Sequence, residues 1–472
     1  MTSEREPGLS RRQYLQAAGV GVVSLAGIGT AQAAGGDEIW RFETGHWVFS
    51  SPTVVDGTVF VGSIDYNVYA VDAADGTELW RRNLPSNTSG APTVVDRTVF
   101  VGSGGFDNNV YALDAADGTE LWRFENGGNL TSSPTVVDGT VFVGSDDNNL
   151  YALDAGAGTE QWRFQTGDKV SSSATVVDGT VFIGSHDNNL YALDAGDGTE
   201  QWTFQTGSGV SSSPTVVDGT VFVGSGDGNV YALDAGDGTE LWCFETGDYV
   251  NSSPTVVNGT VFIGSHDTTV YALDAADGTE LWRFETGNAV NSSPTVVDGT
   301  VFVGSGDNNL YAVDAGDGTE QWTFQTGSGL ASSPTVVDGT VFVGSMDQNL
   351  YAVDAGVSGS SEGSRVMLGT LGHHGDWRYA DQTIDRQTTA EPTTTEPPTT
   401  APTTPEPPTT EPTTTGSVTT TDSSDSGLQE TLGETSANDG SSGLPGFGIA
   451  PGIVGVGIGL GLKQYLEDDG EE

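Results

Sequence analysis

The sequence is poor in cysteine and in lysine. Cys243 is the single cysteine, so no disulfide can form within the chain and its stability must come from core packing. Lysine occurs twice, at Lys169 and Lys463, and 65 acidic residues against 15 basic ones give a formal net charge of -50. No basic stripe is present that would displace the counterions around phosphates, which excludes nucleic acid as a partner.

The acidic excess also bears on the medium in which the chain folds. In dilute buffer such a charge would push a compact fold apart, whereas at molar salt the Debye length shrinks to about 3 Å and the repulsion is largely screened. With lysine so scarce, the composition indicates a salt-loving microbe as the host. We therefore expect the stability of the fold to rise with salt concentration.

A helical hydrophobic period is absent from residues 37–355, and a repeat is present instead. Tryptophan recurs with a period of 40 residues and one step of 42, at positions 40, 80, 122, 162, 202, 242, 282 and 322. Each unit contains four short runs rich in Val, Phe, Tyr, Thr and Trp, separated by Asp-Gly or Asp-Asn turn signals. Four strands per repeat of about 40 to 45 residues indicate the blade of a β-propeller.

The order of the runs predicts how the ring closes. The SPTVV run should form the innermost strand, followed outward by TVFVGS, YALDA and the tryptophan strand. The first tryptophan strand, residues 38–43, precedes all eight inner strands, and no tryptophan strand follows Ala355. We therefore predict an all-β, eight-bladed propeller over residues 37–355 in which the N-terminal strand completes the last blade and removes the exposed edges.

The consensus YALDAxDGTELWRFxTGxxVxSSPTVVDGTVFVGS resembles the repeat of the pyrroloquinoline quinone (PQQ)-like propellers. That family includes quinoprotein alcohol dehydrogenases and also BamB-like proteins, which bind partners and do no chemistry, so the fold alone does not choose between them. The resemblance to the dehydrogenases implies PQQ in the channel, a bridging calcium ion and a carboxylate base, framed in those relatives by adjacent paired cysteines and extra loops.

This sequence has one cysteine, blades almost without insertions, and inner strands that repeat Ser-Ser-Pro-Thr. An asymmetric catalytic constellation is hard to place in such a symmetric channel. The interpretation we favour is a non-catalytic binding or scaffold propeller with no catalytic residues and no cofactor. The alternative is a PQQ-dependent alcohol or sugar dehydrogenase that uses PQQ with calcium.

Both ends of the chain predict export and surface attachment. Arg11 and Arg12, followed by an apolar run and a small-residue cleavage pattern, resemble a twin-arginine signal over residues 1–33. A connecting tail, residues 356–387, leads into a Thr/Pro/Ser-rich stalk and spacer, residues 388–443.

The hydrophobic C-terminal segment, residues 444–472, begins with Pro445, Gly446 and Phe447, which resemble an archaeal PGF-type sorting signal. The segment is expected either to be cleaved and exchanged for a lipid anchor or to remain as a marginal membrane span. We expect an extracellular protein exported by the twin-arginine route and anchored at the cell surface.

Differences among the repeats concentrate in the loops that lead into the inner strands and in the hairpins between the second and third strands. Chain direction alternates along a blade, so both sets should lie on one face of the disc. Aromatic residues at loop tips are candidates for partner contacts. The candidate binding residues are His46, Trp47, Phe49, Tyr66, Phe106, Lys169, His186, Tyr249 and His266. We expect a monomer that binds an envelope protein or a glycan through this face.

Histidine pairs raise the question of a metal site. His186 and His266 occupy equivalent positions two blades apart, but two histidines make an incomplete ligand shell. The segment HHGDW, residues 373–377, is interpreted as a tail that packs on the propeller through Trp377. We therefore expect no metal. Five N-glycosylation sequons, at Asn87, Asn129, Asn251, Asn258 and Asn291, fit an exported chain.

Overall fold

The computed structural model describes residues 35–361, which form eight four-stranded antiparallel sheets arranged as a propeller. The predicted fold class is confirmed. Residues 35–361 contain no candidate for a membrane-spanning helix. The twin-arginine signal, residues 362–387 of the tail, the HHGDW segment, the stalk and the PGF segment lie outside the described residues.

We number the strands β1 to β32 in chain order. The innermost strands are Thr53–Val55, Thr93–Val95, Thr135–Val137, Thr175–Val177, Thr215–Val217, Thr255–Val257, Thr295–Val297 and Thr335–Val337. The second strands are Thr58–Gly62, Thr98–Gly102, Thr140–Gly144, Thr180–Gly184, Thr220–Gly224, Thr260–Gly264, Thr300–Gly304 and Thr340–Gly344. The third strands are Asn67–Asp72, Asn109–Asp114, Asn149–Asp154, Asn189–Asp194, Asn229–Asp234, Thr269–Asp274, Asn309–Asp314 and Asn349–Asp354. The outer strands are Glu38–Glu43, Glu78–Asn83, Glu120–Glu125, Glu160–Gln165, Glu200–Gln205, Glu240–Glu245, Glu280–Glu285 and Glu320–Gln325.

The ring closes as the sequence predicts. Blades 1 to 7 are each built from four consecutive strands, starting with Thr53–Val55. Blade 8 combines the N-terminal β1 with the last three strands, which are β1 (Glu38–Glu43), β30 (Thr335–Val337), β31 (Thr340–Gly344) and β32 (Asn349–Asp354). Within blade 8, Trp40 of β1 lies opposite Ala352 of β32, the same pairing that Trp80 makes with Ala70 in blade 1. Pairing the first described strand with the last one leaves no blade incomplete.

The hydrophobic core lies between adjacent blades. One cluster, for example, joins Phe60, Ala70 and Trp80 of blade 1 to Val99 and Tyr111 of blade 2. Both faces of the second and third strands are covered in this way, which explains why these strands are buried along nearly their whole length instead of alternating. Each blade therefore depends on its neighbours for burial of its apolar surface.

Each outer-strand tryptophan joins its own blade to the next one. The indole N–H of Trp40 donates to the backbone carbonyl of Ala73 at 3.0 Å, and all eight tryptophans make the equivalent bond. The ring of Trp40 also covers Gly76, where an added Cβ would lie 2.9 Å from the indole. The glycine of the repeated DGTE turn thus serves two purposes, since it has a φ of 76° and makes room for the tryptophan.

The inner strands form a closed ring of side-chain hydrogen bonds. The hydroxyl of Thr53 donates to the carbonyl of Pro92 in the next blade at 2.6 Å, and the last bond runs from Thr335 back to Pro52 at 2.7 Å. Equivalent bonds join all eight blades. The repeated Thr of the SSPT motif is therefore part of the framework.

Candidate binding face

The variable loops and hairpins meet on one face of the propeller. In blade 1 the backbone N–H of Ile64, in the hairpin, donates to the carbonyl of Trp47, in the loop, at 3.0 Å. The same bond recurs in every blade, and the pairs are Trp47 with Ile64, Asn87 with Gly104, Asn129 with Asp146, Lys169 with His186, Gly209 with Gly226, Tyr249 with His266, Ala289 with Gly306, and Gly329 with Met346. The positions that vary most between repeats are thus direct neighbours held by one recurring backbone contact.

In seven of the eight blades a carboxylate beneath the hairpin holds the loop in place. In blade 1 one carboxylate oxygen of Asp65 accepts hydrogen bonds from the hydroxyl of Tyr69 and from the backbone N–H of Gly45, both at 2.6 Å. In blade 3 burial pushes the pKa of the equivalent Asp147 up, but hydrogen bonds from Tyr151, Asn149 and Gly127 outweigh it and lower that pKa overall. These aspartates support the face through hydrogen bonds to the framework.

Three aromatic residues of the first loop pack against one another. The rings of His46 and Trp47 lie 4.9 Å apart and those of Trp47 and Phe49 lie 5.6 Å apart, both in edge-to-face geometry. All three side chains are partly accessible to solvent. Nearby in the chain, the hairpin residue Tyr66 has 46% of its surface exposed. This aromatic corner is preformed, which limits the entropy lost when a partner binds.

Phe106 is the most exposed large apolar side chain of the described residues, at 97%. It follows Gly104 and Gly105 in the hairpin of blade 2, where the repeat is two residues longer. Gly105 has a φ of 66° and its N–H donates to the side chain of Asn129 in the next loop. The insertion thus presents Phe106 outward while its base is fixed, an arrangement suited to a partner contact.

The two hairpin histidines make separate hydrogen bonds. Nε2 of His266 lies 3.1 Å from the amide nitrogen of Asn251 and 2.5 Å from the amide oxygen of Asn291 in the next blade. Nε2 of His186 lies 3.1 Å from the hydroxyl of Ser211. Burial, followed by the charge of Lys169, lowers the pKa of His186, so it is neutral at pH 7.

No group of three or more His, Cys, Asp or Glu side chains in residues 35–361 is arranged to hold a metal ion.

Tyr249 packs on His266 with ring centroids 6.0 Å apart, which joins two of the candidate residues. The contacts of His266 with Asn251 of its own blade and Asn291 of the next blade were missed from the sequence, because they join side chains 15 and 25 positions apart. A comparison of the repeats would have suggested these contacts. At the loop position of Asn251, asparagine occurs only in blade 6, which contains His266, and in the next blade, as Asn291.

Lys169 lies beside Asp146 in a more polar sector of the same face. Burial raises the pKa of Asp146, while a hydrogen bond from Asn129 and the charge of Lys169 act in the opposite direction. The bond from the amide of Asn129 to the carboxylate is 3.2 Å long. The face therefore has an aromatic sector in the first blades and a polar one centred on Lys169.

The innermost strands supply no cationic group for the quinone cofactor that the repeat family implies. PQQ carries three carboxylates and needs cationic partners or a metal, whereas every innermost strand reads Thr-Val-Val and contains no charged residue. Ser361, the last described residue, also returns to the innermost strand of blade 8, where its N–H donates to the carbonyl of Val336 at 2.7 Å. The threonine of each innermost strand is engaged in the hydrogen bonds that hold the ring together.

Comparison with known proteins agrees with this architecture. The chain belongs to the family described as "Outer membrane protein assembly factor BamB", whose pattern matches residues 26–106, 106–243 and 226–362. It is similar to the crystal structure of BamB from Moraxella catarrhalis, with a TM-score of 0.60, 19% identity, and coverage of 67% of this chain and 99% of that one. It is also similar to the computationally designed Ika8 protein, with a TM-score of 0.62, 18% identity, and coverage of 67% and 99%. No curated protein sequence gives a significant match.

Proposed function

We propose that the protein is a non-catalytic binding propeller, held at the cell surface, that recognises an envelope protein or glycan through the loop and hairpin face. The observation that carries this proposal is where the repeats differ. The paired loop and hairpin positions range from Trp47 with Ile64 to Gly209 with Gly226, while the innermost strands remain Thr-Val-Val in all eight blades. Variation at solvent-accessible loop tips on an invariant scaffold is the usual arrangement of a binding protein.

A partner protein is the occupant that the aromatic sector favours. Aromatic residues are enriched at protein interfaces, and tryptophan and tyrosine often contribute most of the binding energy. This face offers the partly accessible Trp47 and Phe49 and the exposed Tyr66 and Phe106 within the first two blades. Family membership supports the same proposal, since the family is described by an assembly factor. Export by the twin-arginine route and anchoring by the C-terminal segment complete it.

The test is affinity capture from envelope extract at molar salt with the full exported chain as bait. One variant combines Trp47→Gly, Phe49→Ser and Tyr249→Gly, which installs the residues that blade 5 carries at these positions and so preserves the framework. The matched control combines Leu79→Gln and Leu241→Gln, which removes exposed apolar surface from outer strands and installs the residue found at Gln201. We expect the triple variant to lose most of the captured partner and the control to keep it. Equal capture by both variants would disprove the proposal.

The dehydrogenase alternative has its own test. PQQ and calcium are added to the purified chain at molar salt, and cofactor absorbance and dye-coupled alcohol oxidation are measured. The charge-free inner strands lead us to expect neither stoichiometric binding nor activity. A stoichiometric and active complex would replace the binding proposal by the enzymatic one.

A further inference from the structure

We infer that Asn258 is the N-glycosylation site of this protein and that it carries an oligosaccharide on the face opposite the binding loops. Asn258, Gly259 and Thr260 form a sequon in the turn between the first and second strands of blade 6. Both Asn258 and Gly259 are exposed, and nothing lies within 4 Å of the space beside Gly259. The inference rests on the proposed export, because the modification takes place outside the cytoplasm.

Blade 6 is the one blade in which this turn contains asparagine. The other seven turns have aspartate at the same position, at Asp56, Asp96, Asp138, Asp178, Asp218, Asp298 and Asp338. The backbone is unchanged, with a φ of 50° at Asn258 against 48° at Asp218, so the asparagine is not needed for the turn. What asparagine adds at this position is an amide nitrogen that can accept a sugar.

The sequons at Asn251 and Asn291 are engaged in the fold. Both side-chain amides lie within hydrogen-bonding distance of Nε2 of His266. The hydroxyls of their sequons, on Ser253 and Ser293, are buried and each accepts a backbone N–H from the preceding blade at 3.0 Å. A transferase would have to disrupt the contact between blades to reach either site.

The sequons at Asn129 and Asn87 lie in the loop and hairpin contacts. The amide of Asn129 accepts from Gly105 and donates to Asp146, and the hydroxyl of Thr131 is buried. Asn87 is half-buried, and its carbonyl accepts the N–H of Gly104 at 2.9 Å. In contrast, Asn258 is exposed and the space beside Gly259 is open.

The export route makes exposure in the folded state decisive. The twin-arginine system transports chains that have already folded, so the transferase would meet the finished propeller. The sugar donor is a polyprenyl phosphate-linked or pyrophosphate-linked oligosaccharide. The bond between the sugar C1 and the phosphate oxygen breaks and a bond from C1 to Nδ2 of Asn258 forms. The lipid phosphate leaves with the electron pair, and one amide proton is lost.

The experiment is glycopeptide mass spectrometry on the full chain purified from its native host. Asn258→Asp removes the acceptor and installs the aspartate of the other seven turns, so the variant should fold normally. Thr260→Val removes the sequon hydroxyl and keeps the asparagine, while Asn251→Ser is the control and installs the residue found at Ser211. We expect complete loss of the glycan from the first two variants and full retention in the third.

Two outcomes would overturn the inference, and both leave the proposed export intact. One is a glycan on Asn87, Asn129, Asn251 or Asn291 in place of Asn258. The other is an unmodified or deamidated Asn258 in a chain whose N-terminus shows removal of the signal peptide. A chain that retains residues 1–33 and carries no glycan would contradict the proposed export as well, and N-terminal peptide analysis separates the two cases.

Discussion

The backbone N–H of Ser333 in the last blade donates to the hydroxyl oxygen of Ser51 in the first blade at 2.9 Å. Ser51 and its equivalents accept seven such bonds around the ring. The eighth acceptor position, which would receive the N–H of Ser51, is Ala91 in blade 2 and has no hydroxyl. The ring is therefore interrupted between blades 1 and 2.

Three other repeated contacts are interrupted in the same region. Arg82 replaces the phenylalanine that packs on the next tyrosine in the other seven pairs of blades, and it forms an ion pair with Glu120 at 2.9 Å instead. Pro85 replaces the glycine whose N–H bonds to the hairpin aspartate. Gly90 replaces the serine whose hydroxyl, in the other seven blades, accepts the backbone N–H of the last residue of the second strand. We conclude that the junction of blades 1 and 2 is the least stabilised in the ring.

Completing the serine ring is expected to stabilise the protein. Ala91→Ser should supply the missing acceptor for Ser51 and raise the free energy of unfolding by about 0.5–1.5 kcal/mol, the usual net value of a hydrogen bond. Denaturant unfolding at molar salt measures the change. Ser133→Ala, which removes an existing acceptor, should lower the free energy of unfolding by about the same amount. An Ala91→Ser variant less stable than the wild type would show that the ring is not a source of stability.

Two glycines with similar backbone angles should respond differently to alanine. Gly219 has a φ of 78° with nothing within 4 Å, while Gly238 has a φ of 73° and an added Cβ would lie 2.6 Å from the ring of Trp202. Gly219→Ala should cost about 1–2 kcal/mol through backbone strain alone. Gly238→Ala should cost about 1–3 kcal/mol more, because the indole must shift, and tryptophan fluorescence should change. Equal costs would mean that the glycine serves the turn only.

The sequence was sufficient to predict the fold, because the period of tryptophan defines the blades and the unpaired Glu38–Glu43 strand defines the closure. It was less informative about the framework. The bond from Ser333 to Ser51 joins residues 282 positions apart, and nothing in the SSPT pattern says which hydroxyl faces a neighbouring blade. Within the candidate face, the exposure of Phe106 depends on how a two-residue insertion folds, which no periodicity describes.

Alkaline pH should destabilise the propeller through the buried tyrosines. Burial, followed by the hydrogen bond to Asp147, raises the pKa of Tyr151 from 10.0 to about 12, and Tyr271 behaves similarly beside Asp267. A tyrosine whose pKa is higher in the folded state contributes stability that is complete below pH 10 and is lost as the pH rises toward 12. We expect the denaturation midpoint to fall across this pH range. The absorbance of tyrosinate should appear at a higher pH than it does for a tyrosine exposed to water.

The control for the tyrosines is Tyr151→Phe. This variant should be less stable at pH 8, because the hydrogen bond to Asp147 is gone, but the decline in its midpoint above pH 10 should be smaller than in the wild type. An identical decline would assign the alkaline loss of stability to other groups.

Salt should stabilise the protein even though it weakens the ion pairs. Residues 35–361 contain six pairs between arginine and glutamate, all with partly exposed side chains, and such pairs contribute about 0–1 kcal/mol each and are screened by salt. The repulsion produced by a net charge of -50 is screened at the same time and is expected to dominate. The thermal midpoint should therefore rise between low and molar sodium chloride, and potassium chloride at equal ionic strength should reproduce the rise because screening depends on ionic strength. A midpoint that stays constant or falls would mean that the fold is not limited by its own charge.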